Sequence, residues 1–310
     1  MTEQEKTSLE EHENKVNVVA TLSEFHLENK PVSKVIKQKD GSTITKQMNV
    51  ISGTIVGKLS ETNSITLRAY ASELTNSGGE NKAYKHLADL MNDPNWASVA
   101  NSGSDSAVRF TCGADFSPTH YIGNDKKMHE GVAQYRANFF TRVVDDRAPK
   151  AEIKCDLYIA SVRPENGKDG EETGRWIVDG WISTYTGVEK ASFIVPVNLA
   201  DGISDYLHPG ETAEIFADVI NTAKTETITR KMGIGADHVE TKTTYKNELV
   251  INGATVLNDS ENPADLARVF DKDVMTNAIN EYKKQIEALS NGGGTEKVTK
   301  AAASTQKPLW

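Results

Sequence analysis

Residues able to stack on a flat ring and to hold a phosphate stand side by side in two stretches of the chain. In Ile65-Thr-Leu-Arg-Ala-Tyr70, the apolar Ile65, Leu67 and Ala69 alternate with Thr66, Arg68 and Tyr70, the period of a strand with one face on a core. Arg68 and Tyr70 then sit together on the open face. A base stacks on an aromatic ring for about 1–3 kcal/mol, and a neighbouring Arg pairs with phosphate or stacks in turn. Further on, Arg136 and Phe140 are expected to project opposite to Tyr135 and Phe139, which puts Arg136 at the border of the same face. For Arg68, Tyr70 and Arg136 the plain alternative is an ordinary half-exposed strand face. The second stretch, Arg175-Trp-Ile-Val-Asp-Gly-Trp-Ile-Ser-Thr-Tyr185, repeats the pattern. Arg175, Trp181 and Tyr185 share one parity, and Trp176, Val178 and Ile182 share the other. Gly180 is a place for a bulge, which would shift the parity beyond it. A core position is the alternative for either Trp and the preferred reading for Trp176.

Cations gather on two long connections. Residues 28–49 carry Lys30, Lys34, Lys37, Lys39 and Lys46 against Glu28 and Asp40. The spacing predicts a long loop, a mobile arm suited to phosphates; a solvated loop is the alternative. Residues 221–244 carry Lys224, Arg230, Lys231 and Lys242 around Met232-Gly-Ile-Gly-Ala236, which reads as a hairpin tip or lid. Its two glycines are not a phosphate fingerprint, which needs a strand-to-helix setting.

Catalytic chemistry has no comparable signature. There is no Walker loop, His-Glu-x-x-His or Gly-x-Ser-x-Gly, and His26, His86, His120, His129, His208 and His238 fall without a pairing pattern. Cys112 and Cys155 lie in strand-like runs without a second Cys or His at ligand spacing, so they read as buried, reduced thiols. The expectation is no enzyme, no metal and no cofactor.

The elements that must carry these residues are mostly strands. Asn17–Leu22, Val50–Lys58 and Ser64–Ala71 precede a helix over Glu80–Asp93 that stops before Pro94, and strands Ala107–Ala114 and Val132–Val144 follow. After a polar break at 145–150 the order recurs in Ala151–Val162, Arg175–Tyr185, Ala191–Val197, a helical turn over Ala200–Leu207, Glu211–Asn221 and Tyr245–Val256. Five strands with a helix between the third and fourth is the order of the OB-fold, whose ligand face is strands two and three. The predicted fold is therefore mainly β, with two tandem OB-like five-stranded barrels. Residues 1–15 form an acidic arm, 16–150 the first domain, 151–256 the second, 257–290 a helical segment spanning Pro263–Leu289, and 291–310 a disordered tail.

Totals constrain the partners. The formal charge is −9 over 310 residues, which argues against indiscriminate attraction to nucleic acid. Its distribution is uneven: 16 cations face 14 carboxylates in residues 16–150, but 10 face 17 in residues 151–256. The first domain is mildly basic and the second acidic. No run of some eighteen apolar residues exists, and the start of the chain lacks the apolar segment of a secretory signal, so neither membrane nor export is expected.

With these residues in view, the chain resembles the OB-fold single-stranded DNA-binding proteins of tailed bacteriophages, particularly those of Gram-positive hosts. The resemblance covers residues 16–256 and rests on Val16-Asn-Val-Val-Ala-Thr-Leu22, Ser52-Gly-Thr-Ile-Val56, Tyr158-Ile-Ala-Ser-Val-Arg-Pro164 and Thr173-Gly-Arg-Trp-Ile-Val-Asp-Gly-Trp181. It implies single-stranded DNA as partner, phage replication or recombination as the setting, and the host cytoplasm as the place. Many such proteins end in an acidic stretch closing with Pro and an aromatic, which docks on replication or recombination proteins. Here Pro308-Leu309-Trp310 is present, but Lys297, Lys300 and Lys307 replace the acidic run. A structural or interaction protein built on the same barrels, such as a virion component or a binder of host proteins, is the competing reading, favoured by the acidic second domain.

Overall fold

The computed structural model describes residues 9–37, 42–123, 126–167, 169–230 and 238–290. The first half contains strands β1 (Lys15–Lys37), β2 (Thr43–Lys58) and β3 (Ser64–Ser72), then helices α1 (Lys82–Asn92) and α2 (Val99–Ser102). Strand β4 (Arg109–Phe116), a hairpin of β5 (Thr119–Ile122) and β6 (Met128–Val132), and the short β7 (Tyr135–Arg136) and β8 (Thr141–Arg142) complete it. The second half contains β9 (Lys150–Asn166), β10 (Glu172–Thr184), β11 (Gly187–Val195), α3 (Ile203–Tyr206), β12 (Thr212–Arg230) and β13 (His238–Val256). Helices α4 (Pro263–Leu266) and α5 (Lys272–Ser290) follow.

Each half closes on itself through the same pairing order. β1 pairs with β2, β2 with β3, β3 in parallel with β7, β7 with β4, and β4 with β1. In the second half β9, β10 and β11 pair in turn, β11 lies parallel to β13 at Ile194 and Val250, and β12 joins β13 back to β9. The two rings are not separate barrels. β1 also pairs antiparallel with β9, Asn17 opposite Glu152, so eleven strands make one sheet. One apolar core runs through both halves, with Val16 and Val18 of β1 and Ile153 of β9 fully buried. Phe116 and Phe193 meet edge to face across it at 6.4 Å.

Local chemistry explains the alternation. In β3, Ile65, Leu67, Ala69 and Ala71 are buried, whereas Thr66, Arg68 and Tyr70 face out. Gly53, at φ +153, lets β2 cross β1 where any Cβ would stand 1.9 Å from the His26 carbonyl oxygen. Burial pushes the Cys112 thiol up to about 12 and the Cys155 thiol well above its ordinary value, so both are inert, unpaired core groups. Among the described residues no helix is long and apolar enough to cross a membrane.

Several sequence expectations need correction. The connection 28–49 is no loop: β1 runs on to Lys37 and β2 begins at Thr43, so the two strands extend as a two-stranded ribbon, in register from Glu28 opposite Ser52 to Lys37 opposite Thr43. Residues 221–230 and 238–244 likewise continue the β12–β13 ladder out to Arg230 opposite His238, and the tip or lid expected at Met232–Ala236 lies outside the described residues. The strand expected over Val132–Val144 breaks into β7 and β8 separated by 137–140, and Phe140 is buried while Phe139 is exposed. The helix expected over Pro263–Leu289 is interrupted at 267–271. There the Phe270 N–H donates to Thr212 Oγ1 at 2.9 Å and Arg268 reaches Asp156, while Asp271 Oδ1 accepts from the N–H groups of Asp273 and Val274 to start α5. The tail from 291 onward lies outside the described residues.

Candidate nucleic-acid interface

The outer face of β2, β3 and β7 gathers the first-half candidates. Cross-strand partners point to the same side, which sets Thr54 beside Arg68 and Ser52 beside Tyr70. On the other edge, Arg68 stands directly opposite Arg136 in the parallel ladder. Like charges opposite one another cost stability, so two exposed guanidinium groups at adjacent positions favour an anion between them. Asp115, the partner of Arg136 on β4, is engaged by Lys15 Nζ at 2.7 Å.

Two exposed aromatics belong to the same half. Tyr70 is 60% exposed and Phe139 is 55% exposed. The segment holding Phe139 is pinned: the Tyr70 N–H donates to Asn138 Oδ1 at 2.9 Å, and the Phe140 N–H donates to His86 Nε2 at 2.9 Å. The His86 ring lies against Phe139, centroids 5.4 Å apart. The Tyr70 ring and the two guanidinium groups on the open face can stack a base and hold phosphates. Phe139 was legible only as one of two adjacent phenylalanines, and strand parity assigned the outward place to Phe140.

The ribbons carry the lysines. Lys34 lies opposite Lys46 on the β1–β2 ribbon, and Lys46 is exposed. Lys37 is in β1, Lys224 and Arg230 are in β12, and Lys242 is in β13 opposite Glu226. Lys39 and Lys231 lie outside the described residues.

The second ring places its candidates differently. The parity expected along β10 holds, because its pairing with β11 runs unbroken from Trp176 to Thr184. The bulge lies across from Gly180, at Ala160 of β9, and Val178 and Ile182 point into the core. Yet the opposite face is covered. Trp181 meets Tyr282 of α5 edge to face, centroids 5.1 Å apart, within an apolar cluster of Val188, Phe270 and Met275. One residue further along that face, Ser183 donates to the Glu10 carbonyl oxygen, and its own carbonyl oxygen accepts from Asn14 Nδ2 at 2.8 Å. Trp181 is therefore a packing residue in this structure, not an open stacking platform. Arg175 is no free cation either: its guanidinium donates to Glu165 at 2.5 and 2.6 Å and to Glu248 at 2.9 and 3.1 Å. Arg175 holds the Glu165 carboxyl down at about 2. Tyr185 remains 71% exposed.

Two polar clusters fasten the covering segments. His12 Nδ1 lies 2.8 Å from Asp156 Oδ2 with its ring stacked on Phe270, and Arg268 bridges Asp156 and Glu214. Burial opposes ionisation of Asp156, but hydrogen bonds from His12 and Arg268 outweigh it and hold the carboxyl below its ordinary value. Midway along α5, Tyr282 donates to Glu130 at 3.0 Å, and His120 Nδ1 lies 3.1 Å from Glu189. These histidine pairings span 144 and 69 residues, which no local motif could reveal. Among the described residues, no group of three or more His, Cys, Asp or Glu side chains is placed to hold a metal ion.

The family model described as YorF matches residues 12–292. Comparison with curated proteins finds no match. Among solved structures, the wild-type single-stranded DNA binding protein from Thermus aquaticus is similar at a TM-score of 0.41 and 10% identity, over 82% of this chain and 96% of that one. A deletion mutant of it gives 0.41 and 11% over 82% and 98%.

Proposed function

The chain belongs to the YorF family, and we propose that it binds single-stranded DNA without sequence preference, through the open face of its first ring. The observation that carries this reading is the exposed Arg68–Arg136 pair with the exposed Tyr70 two residues along β3 on the same face. Arginines would hold successive phosphates, the rings would stack bases, and neither step needs catalysis or a cofactor. Each ring, 16–150 and 151–256, is on this reading an OB-type barrel, since the pairing order matches that fold and the open face corresponds to strands two and three. Lys34, Lys37 and Lys46 belong to one ribbon, and Lys224, Arg230 and Lys242 to the other, and on this reading they add cations for the phosphates. The setting we propose is phage DNA replication or recombination in the host cytoplasm, with the Pro308–Trp310 end available to replication proteins.

The competing reading, a non-enzymatic interaction protein, draws on one observation. The second ring neutralises its own cations, Arg175 with Glu165 and Glu248, and Arg163 with Asp179, and presents exposed Val197, Leu199 and Tyr206. Fluorescence anisotropy of labelled oligo-dT, with a duplex of equal length as competitor, separates the two. Saturable binding of the single strand at low salt, resisted by the duplex, is the expected result; no binding at low salt would leave only the interaction reading.

A further inference from the structure

Each ring lends the connection between its fourth and fifth strands to the other ring. The antiparallel β1–β9 pairing, centred on Asn17 and Glu152 with Lys15 opposite Lys154 and Val19 opposite Lys150, relates the rings by an approximate two-fold. On one side of it, the root of the β12–β13 ribbon rests on the turn between β2 and β3. The Ala223 N–H donates to the Thr62 carbonyl oxygen at 3.1 Å, and Asn63 forms an antiparallel bridge with Thr222. The Asn63 side chain then acts like another stretch of backbone. Its Oδ1 accepts from the Asn221 N–H at 2.8 Å, and its Nδ2 donates to the Val219 carbonyl oxygen at 3.2 Å. On the other side, the β5–β6 hairpin of the first ring lies on β11, through His120 and Glu189 and at Gly131, where a Cβ would stand 3.1 Å from the Lys190 carbonyl oxygen.

We propose that the β12–β13 ribbon of the second ring completes the nucleic-acid site of the first, with Tyr245 as a further base-stacking residue and Asn63 as the positioning residue that holds the ribbon there. This rests on the single-stranded DNA reading above. Tyr245 is 72% exposed and stands opposite Ala223, the residue bonded to the turn. From Asn63 it is two strand spacings away, about 10 Å, while Arg68 lies five residues up β3, about 17 Å. A strand of some 4–16 nucleotides, the usual site size, spans both. The acidic ring thus serves the site through the arm that carries its Lys224, Arg230 and Lys242, which explains how a half with seven more carboxylates than cations takes part.

A double-mutant cycle on oligo-dT affinity in the full chain tests this, with Tyr70→Ala as the control for the underlying reading. Tyr245→Ala is expected to weaken binding about 5- to 150-fold without changing its salt dependence. Asn63→Ala should weaken binding and also lower the salt slope, as the ribbon cations leave. The double variant should bind no worse than Asn63→Ala alone, because a released ribbon no longer presents Tyr245. If Tyr70→Ala weakens binding while Tyr245→Ala and Asn63→Ala do not, the inference fails and the DNA reading stands. Multiplying losses in the double variant would also overturn it. No binding by the wild type would instead remove the DNA reading itself. Should Asn63→Ala not fold, Ala223→Pro, which removes the N–H that donates to the Thr62 carbonyl oxygen, replaces it in the same cycle.

Discussion

At the scale of single residues, Tyr70 and Trp181 show how far alternation reaches. Both were expected on open faces, and both do point away from the core. One face stays open; the other is covered by α5, a hundred residues downstream. Parity tells which side chains share a face but carries no information on what packs over it. Trp181→Ala should therefore cost fold stability, about 3 kcal/mol at the low end for a large aromatic because the ring is only partly buried. DNA affinity per folded molecule should stay unchanged; urea unfolding and anisotropy on the same variant check both. Arg175 gives a pH prediction. Glu165, held down at about 2 by Arg175, is ionised in the fold at pH values where the unfolded chain takes up a proton. Its contribution is present above its ordinary carboxylate value of 4.5 and is lost as pH falls towards 2. Arg175→Ala should flatten the stability–pH curve in that window, as followed by thermal unfolding.

At the scale of elements, the strands were legible and their ends were not. The dipeptide Asp40-Gly41, flanked by alternating residues on both sides, is a strong hairpin signal in the sequence, whereas the unusual length of the 28–49 connection points to a loop. The break before α5 depends on tertiary partners: Phe270 buries its ring against Tyr158 and Arg268 turns back to Asp156, and neither contact is local. Those contacts make the segment's anchoring testable. Asp156 is almost wholly buried between His12 and Arg268, so Asp156→Ala strands two donors. The expected loss is about 3 kcal/mol, the low end for breaking a buried pair, since Arg268 is a third exposed. Denaturant unfolding measures it, and a loss under about 1 kcal/mol would mean that the cluster is peripheral.

At the scale of the molecule, the duplicated strand order is visible in the sequence, and the fusion of the two halves is not. The β1–β9 pairing and the shared core depend on residues 135 apart, such as Asn17 and Glu152, that carry no mark of their partnership. Because that core is continuous, both halves should unfold in one cooperative transition, with tryptophan fluorescence and circular dichroism coinciding. On the proposed reading, single-stranded DNA is held by the open face of the first ring. Each phosphate held on a single strand contributes about 0.7 to the slope of log affinity against log salt. The measurement that tests it most directly is that slope for oligo-dT, wild type against the Arg68→Ala/Arg136→Ala double variant. The expected result is a slope shallower by about 1.4 with the fold intact. An unchanged slope in a variant that still binds would contradict the claim.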